Sequence, residues 1–294
     1  MKMKFAENLK IWSLISLAII VIGLVVALTS GLNQGIDFTG GTMIHIDMNK
    51  TYEVSQIKDS ISAYNLDEDI IHAGFDKTEI IIKTNLSLDN AQRMEIFETL
   101  KNDFNLTDKD FLEAEQFGPT VGKEIQTKAL TSILIASLGM LIYITLRFEI
   151  IYGITAIVAL IHDVLILLAV YSIFNIPINS SFIAAVLTIV GYSINDTIVV
   201  FDRVRVNVRK MRKNSYAEIA NKSLSQTIVR SINTSFTTLL VIGSLYFWGV
   251  DSIKEFAFPL MSGIIVGTYS SIFIASPLWA FIKDKNKKVN YKKA

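Results

Sequence analysis

The sequence predicts an α-helical polytopic membrane protein with six transmembrane helices and one small α+β domain of ferredoxin-like order outside the membrane. Five stretches of the 294 residues carry no charged side chain and are each 18 residues or longer. About 20 apolar residues cross the hydrocarbon core of a bilayer. These uncharged stretches exclude a soluble globular enzyme. The stretches are 11–36, 129–146, 164–195, 231–250 and 256–282, and a sixth, 150–173, is interrupted only by Asp163.

The first apolar stretch is interpreted as a membrane helix rather than a cleaved signal. It follows a basic start, but its apolar part exceeds the 7–15 residues usual for a signal peptide, and no A-x-A site follows. The predicted spans are 11–30, 129–147, 150–173, 181–201, 229–249 and 256–281.

Lysine and arginine predict the orientation of these spans, because cytoplasmic loops are enriched in both residues. Residues 202–227 carry seven of them and the tail 283–294 carries six, whereas 174–180 carries none. Both termini and the 202–227 loop are therefore expected in the cytoplasm. A positive-inside signal beside anionic membrane lipid is the favoured interpretation of this loop, with a docking surface for a cytoplasmic partner as the alternative. Nucleic-acid binding is not expected, because no aromatic residues interleave with the charges.

Four parts follow from this layout: residues 1–30, an outer domain at 31–127, a bundle at 128–282 and the tail. The outer segment holds 8 Lys/Arg against 18 Asp/Glu. Its periodicity predicts the order β-α-β-β-α-β of a ferredoxin-like unit. The predicted strands are 42–48, 70–75, 79–84 and 111–117, and the predicted helices are 54–64 and 88–104. This domain shows no catalytic cluster and is interpreted as a binding or mechanical module.

Composition makes several enzyme classes improbable. Cysteine is absent, only three histidines occur, and no H-E-x-x-H is present, which argues against disulfides, thiolate sites and a zinc hydrolase. The stretch Gly118-Pro-Thr-Val-Gly-Lys-Glu124 has the wrong spacing for a phosphate-binding loop and lacks its Ser/Thr. We therefore expect no cofactor, and energy from an ion gradient or from a partner.

Two glycine-bearing joints flank the outer domain. The first contains Asp37, Phe38, Gly40 and Gly41, and the second contains Gly118, Pro119 and Gly122. Because glycine allows backbone conformations closed to other residues, the joints suggest a hinged domain, with ordinary turns as the equal alternative. Phe38 is a candidate anchor at the membrane interface. Elsewhere, Gly139 and the pair Gly263 and Gly267 suggest close helix contacts.

Ionisable residues inside the membrane are candidates for function, because each costs at least roughly 2.5–3.5 kcal/mol to insert. Asp163 lies deep in the third span after His162, Asp196 lies in the fourth, and Arg230 opens the fifth. Asp196 and Arg230 lie at similar depth and are predicted to pair. A nearby guanidinium favours a charged carboxylate and burial disfavours it, so moving the arginine would let the acid take a proton. A static pair, or an arginine that only snorkels, is the alternative.

Further polar residues surround this position, with Tyr192, Ser193, Asn195 and Thr197 expected to form a polar seam around Asp196. Asp202 is expected to be solvated at the water boundary.

These residues resemble the SecF family of bacterial protein-export subunits, part of the SecD/SecF group in the RND transporter superfamily. The resemblance rests on Asp-Phe-Thr-Gly-Gly at 37–41, Gly-Pro-Thr-Val-Gly at 118–122, Ile-His-Asp-Val at 161–164 and the long motif at 191–203. It implies half of an RND-type bundle in the bacterial inner membrane. It also implies a proton relay of Asp196 with Arg230, and an accessory His162–Asp163 pair.

The same resemblance implies coupling of the proton-motive force to polypeptide export. The implied partners are a SecD-like subunit as a separate chain, the SecYEG channel and the exported polypeptide. A proton-driven exporter of small molecules and a passive assembly factor of the translocon stay open as alternatives. Sodium also stays open as the coupling ion.

Overall fold

The computed structural model describes residues 4–66, 68–74 and 76–293, and the side chains of Glu68, Pro119 and 287–293 lie outside this description. Six of the described helices are long and apolar enough to cross a membrane, which confirms the predicted fold class. The chain is therefore a multi-pass membrane protein.

The long helices run from one end of the bundle to the other, and the α+β domain sits at one of these ends. They are α1 (Leu9–Ser30), followed after the domain by α5 (Pro119–Arg147), α6 (Ile150–Ile173), α7 (Ser180–Lys210), α8 (Tyr216–Trp248) and α9 (Asp251–Ser270). The last helix continues through the π-helical segment Ser271–Ala275 into α10 (Ser276–Lys293). The domain and its first joint contain the short helices α2 (Ile36–Thr39), α3 (Val54–Ile61) and α4 (Asn90–Phe104).

Three helices form the inside of the bundle and three form its outside. The most apolar windows of α6, α7 and α9 with its continuation are 56%, 50% and 56% buried, against 11%, 6% and 17% for α1, α5 and α8. A helix that is apolar on all sides needs either protein or lipid around it. The exposed leucines, valines and isoleucines of the three outer helices therefore lie where lipid or a partner chain would contact them.

The α+β domain has the predicted order of elements. Its strands are β1 (Gly41–Asp47), β2 (Glu68–Ala73), β3 (Glu79–Thr84) and β4 (Phe111–Phe117), arranged as the antiparallel sheet β2-β3-β1-β4. This is the sheet of a ferredoxin-like fold, as the sequence pattern indicates. The second strand begins and ends two residues before its predicted limits, and Phe75 lies outside the described residues.

The alternation of side chains explains how this domain holds together. Ile44 and Ile46 on β1 and Ile80 and Ile82 on β3 all point to one face, where they are at most 1% exposed. Phe97 of α4 is fully buried against the same face. Since successive strand residues alternate between faces, this strict pattern fixes which side of the sheet the helices cover.

The predicted 202–227 loop is largely helical. Only residues 211–215 separate α7 from α8, so both helices extend well beyond the apolar spans. Ser215 caps α8 by accepting the backbone N–H of Glu218, and the carboxylate of Asp284 accepts the N–H groups of Tyr216 and Ala217. These acceptors satisfy the otherwise unpaired donors of a helix start. Apolar length thus predicted the membrane-crossing part of each helix but not its polar extension.

Candidate functional site

Asp163 on α6 is an acid inside the bundle whose side chain is almost fully buried and has three hydrogen-bond partners. Nδ1 of His162 lies 3.0 Å from its Oδ1. Its Oδ2 accepts hydrogen bonds from Ser193 Oγ at 2.6 Å and from Ser270 Oγ at 2.9 Å. Hydrogen bonds to a carboxylate are the strong ones in a low-dielectric interior, so this acid ties α6 to α7 and to α9.

The imidazole of His162 extends the cluster to the first helix. Its Nε2 lies 2.8 Å from Ser16 Oγ, which in turn lies 3.4 Å from the hydroxyl of Tyr269. That hydroxyl donates to the carbonyl of Trp12 at 2.9 Å. Four helices, α1, α6, α7 and α9, therefore share one hydrogen-bonded group. The sequence indicated His162 and Asp163 but not Ser16, Tyr269 or Ser270, because isolated hydroxyls in apolar helices carry no distinguishing pattern.

Asp196 forms a separate buried site on α7. Its residue exposure is 6%, and its Oδ1 accepts a hydrogen bond from Ser231 Oγ at 2.6 Å. Its Oδ2 has no hydrogen-bond partner among the described residues. A buried polar atom without a partner is unusual in folded proteins, and each instance needs an explanation. A carboxyl oxygen that is free in this way can take a proton or a new donor without first breaking a bond.

Arg230 does not pair with Asp196 in this structure, contrary to the expected ion pair. No ion pair within the described residues joins the two, and Arg230 is exposed on α8. The physical reason is rotation about the helix axis. Successive residues are about 100° apart on a helix of 3.6 residues per turn, so the neighbouring Ser231 faces Asp196 while Arg230 points elsewhere. The two side chains still belong to adjacent helices at a similar depth.

Arg230 instead lines a cavity of about 330 Å³ beside α5 and α7. Arg147 and Asp202 line the same cavity, with 3.9 Å between Arg147 Nη2 and Asp202 Oδ1. Both of these side chains are about half exposed. Within the described residues, no hydrogen bond or ion pair holds the guanidinium of Arg230, so this side chain is free to take a new partner.

The polar residues near Asp196 in the sequence point in several directions. The hydroxyl of Tyr192 donates to Ser235 Oγ at 3.2 Å, and Thr197 Oγ1 lies 2.7 Å from Ser271 Oγ. Asn195 is exposed. The expected polar seam therefore runs between α7 and α9 and along α8, and does not enclose Asp196.

The π-helical segment Ser271–Ala275 begins directly after a residue that contacts Asp163. Ser270, immediately before it, donates to Asp163, and the hydroxyl of Ser271 also donates to the backbone carbonyl of Ser193 at 3.3 Å. Single π-helical turns occur frequently at functional sites. Glycines make the close approach possible here: a Cβ added at Gly267 would lie 2.9 Å from the Cβ of Ser193, and one at Gly263 would lie 2.0 Å from Ile189 Cδ1. The predicted close contacts at these two glycines are confirmed. A Cβ added at Gly139 would meet nothing within 4 Å among the described residues, so the predicted close contact is not formed there within this chain.

The first glycine joint is bonded to the bundle. Asp37 Oδ2 accepts the backbone N–H of Ser180 at 2.8 Å, which caps the start of α7. Phe38 is 7% exposed and packs with bundle residues, so it is a core residue and not a membrane-interface anchor. Gly40 and Gly41 have φ values of +84° and +150°, a region that favours glycine.

The second glycine joint lies against the first. Pro119 begins α5, where its fixed φ suits the first turn, and its side chain lies outside the described part. A Cβ added at Gly122 would lie only 2.3 Å from the backbone oxygen of Phe38, whereas one at Gly118 would meet nothing within 4 Å. Gly122 therefore serves close packing between the joints.

The α+β domain also contacts the start of α9. Lys83 Nζ donates to both carboxylate oxygens of Glu255 at 2.9 and 3.0 Å, and Asn179 Nδ2 donates to the same side chain at 3.0 Å. Nδ1 of His72 lies 3.1 Å from Asp251 Oδ2. A polar cavity of about 360 Å³ borders these contacts between the domain and the bundle. Within the described residues, no three His, Asp or Glu side chains converge to hold a metal ion.

Family models match most of this chain. The model described as "Protein export membrane protein SecD/SecF, C-terminal" matches residues 96–285, and the "SecD/SecF GG Motif" model matches residues 25–50. The second match covers the first glycine joint.

Curated relatives are similar over nearly the whole chain. Protein translocase subunit SecF of Calditerrivibrio nitroreducens is 39% identical over 290 residues, covering 97% of this chain and 95% of the relative. Protein translocase subunit SecF of Desulfurispirillum indicum is 38% identical over 286 residues, covering 95% of this chain and 91% of the relative.

A solved structure has the same fold. The crystal structure of SecDF, a translocon-associated membrane protein from Thermus thermophilus, superposes with a TM-score of 0.83 at 33% identity. The match covers 97% of this chain but only 39% of the SecDF chain, so this chain spans well under half of that longer protein.

Proposed function

The chain belongs to the SecD/SecF family of protein-export membrane proteins, and we propose that it is the SecF-type subunit of the export machinery, coupling the proton-motive force to late steps of polypeptide translocation. The observation that carries the proposal is Asp196, a carboxylate inside a helix of membrane-spanning length, with one hydrogen-bonded oxygen and one that has no partner in the described part of the chain. Ionisable side chains at such positions mark proton and ion pathways.

In this proposal Asp196 alternates between two conditions. With its charge unopposed, it attracts the loosely held guanidinium of Arg230 on the adjacent helix. When it takes a proton, that attraction disappears and Arg230 returns to the cavity with Arg147. Each gain or loss of the proton therefore changes the attraction between α7, which carries Asp196, and α8, which carries Arg230. We expect the two helices to shift relative to each other as this attraction changes. This is the step by which a proton gradient would drive a change in shape.

The proposed setting follows the charge distribution. Both termini and the basic ends of α7 and α8 lie in the cytoplasm, and the acidic α+β domain lies outside the bacterial inner membrane. A SecD-like subunit as a separate chain would contact the exposed apolar helices, and SecYEG and the exported polypeptide complete the assembly. The role is that of a transport subunit and not of an enzyme with its own cofactor.

The test replaces Asp196 by Asn and measures export of a secreted protein into inverted membrane vesicles, with and without a proton gradient. We expect normal assembly and basal export, but no stimulation by the gradient, because the amide cannot exchange a proton. Asp59→Asn is the matched control, since it makes the same chemical change at an exposed site on α3 of the α+β domain, away from the bundle. An Asp196→Asn variant that responds fully to the gradient would refute the relay and leave a passive assembly role.

The coupling ion is tested in the same vesicles. A protonophore should abolish the stimulation, and an ionophore that collapses only the sodium gradient should leave it intact. The opposite pattern would replace the proton by sodium.

Loss of drug efflux with intact secretion in a deletion strain would favour the small-molecule exporter.

A further inference from the structure

Asp163 is the buried acid that the proposed relay does not use. It lies on α6, while the relay uses α7 and α8. Its Oδ2 accepts hydrogen bonds from Ser193 and Ser270, and Nδ1 of His162 lies 3.0 Å from its Oδ1. A carboxylate only accepts hydrogen bonds, whereas a protonated carboxyl group must also donate one. Because Oδ2 already accepts from two hydroxyls, a proton added to this oxygen must displace one of them.

Ser270 is the group that can leave most easily. Its hydroxyl has a second acceptor within its own helix, the carbonyl of Gly267 at 3.1 Å, in addition to Asp163 Oδ2 at 2.9 Å. When the acid is neutral, the hydroxyl can bond that carbonyl and remains satisfied. Ser193 has no such alternative in the described contacts, and it holds Oδ2 more closely, at 2.6 Å.

Releasing Ser270 would remove a hydrogen bond between α9 and α6 at the point where α9 becomes irregular. Ser270 is the last residue before the π-helical segment, where the helix already departs from regular geometry. The hydroxyl of Ser271 contacts Thr197, the neighbour of Asp196. The same turn of helix therefore touches the surroundings of both membrane acids.

The other end of α9 holds the α+β domain. Glu255 and Asp251 contact Lys83 and His72 of that domain. Glu255 and Ser270 are 15 residues apart, so about 22 Å of continuous helix separates them at a rise of ~1.5 Å per residue. Pro259 lies inside this stretch and removes one hydrogen bond of the helix, but α9 continues through it, so both contacts belong to one helix.

We propose that Asp163 is a second proton-accepting carboxylate of the bundle, and that Ser270 is the positioning residue that passes its charge state through α9 to the α+β domain. In the proton step, a hydronium ion of the aqueous phase gives its proton to Asp163 Oδ2, so that a carboxyl O–H bond forms as a hydronium O–H bond breaks, and the hydrogen bond from Ser270 to Oδ2 is given up. Among the described residues, the titratable group that faces this pair is Tyr269 on α9, whose ring stacks on the imidazole of His162. From α1, Ser16 contacts His162 and does not titrate. The inference rests on the proposed proton coupling.

The absence of native cysteine allows a direct readout of domain position. The substitution Asn85→Cys places a single cysteine in the cavity between the α+β domain and the bundle. Its labelling rate reports how closely the domain is docked on the bundle. The complex with its partner subunit is reconstituted, and the labelling rate with a membrane-impermeant maleimide is measured with and without a proton gradient. We expect at least a twofold change in rate in the otherwise unmodified chain, and no change with Ser270→Ala or Asp163→Asn. Ser244→Ala on α8, whose hydroxyl bonds only its own helix, should keep the full change.

The outcomes separate this inference from the proposed function. If Ser270→Ala and Asp163→Asn both keep the change in labelling and the stimulated export, while Asp196→Asn loses the stimulation, the inference is refuted and the relay stands. A labelling rate that ignores the gradient in the unmodified chain also refutes it. If Asp196→Asn keeps the stimulation, the proposed function fails. Should Asp163→Asn prevent assembly, Ser270→Ala decides alone, because it removes a single hydroxyl.

Discussion

Replacing Gly122 by alanine tests whether the glycines of the second joint serve packing or hinge motion. The new Cβ would lie 2.3 Å from the backbone oxygen of Phe38, about 1.1 Å closer than the 3.4 Å at which ordinary van der Waals contact begins. Neither partner is the end of a flexible side chain, so α5 and the first joint must separate. Overpacking of this kind costs about 1–3 kcal/mol.

Gly118→Ala provides the matched control four residues away. Its Cβ would meet nothing within 4 Å and its backbone is extended, so alanine should gain about 0.4–1 kcal/mol from a less flexible unfolded chain. Gly118 is also the N-cap of α5, where alanine is less favourable than glycine, so the net change in stability should be small. The assay is reversible unfolding of the purified protein by denaturant titration in detergent, followed by tryptophan fluorescence. Equal destabilisation by both variants would refute the packing argument. Unchanged stability with impaired export in both would favour a hinge.

Three further predictions concern contacts elsewhere in the chain. Removing Lys83 and Glu255 singly and together should give a coupling free energy of about 0.5–1 kcal/mol in a double-mutant cycle, since both side chains are only about a fifth to a quarter exposed. Gly263→Ala should lower the unfolding temperature, because the new Cβ clashes with the Ile189 side chain. Combined with Ile189→Ala, it should destabilise the protein by less than the sum of the two single changes, because the truncated side chain leaves room for the new Cβ. Asp37→Ala should cost about 1 kcal/mol, because the N–H of Ser180 in the first turn of α7 loses its acceptor while the N-cap Asn179 remains. Asp37→Asn, which keeps an acceptor oxygen, should cost less.

Much of the architecture could be predicted from the sequence alone. The lengths of the uncharged stretches predicted six spans, and the alternation of apolar residues such as Ile44 and Ile46 predicted the sheet and its buried face. Both signals are periodic and local, so they survive without knowledge of the neighbours. Depth was also readable, since Asp163 and Asp196 lie many residues inside apolar helices.

Tertiary packing decided which of these deep residues meet. Apolar helices give little sign of which side faces the protein, so sequence placed Arg230 at the right depth but not on the right face. The structure turns Ser231 to Asp196 instead, and it assembles Asp163 with hydroxyls from three other helices. It also brings Gly122, more than 80 residues away in the chain, onto the backbone of Phe38. Residue order along the chain encodes depth and helical length, but rotation and contact depend on how neighbouring surfaces fit, and that is settled only when the helices pack together.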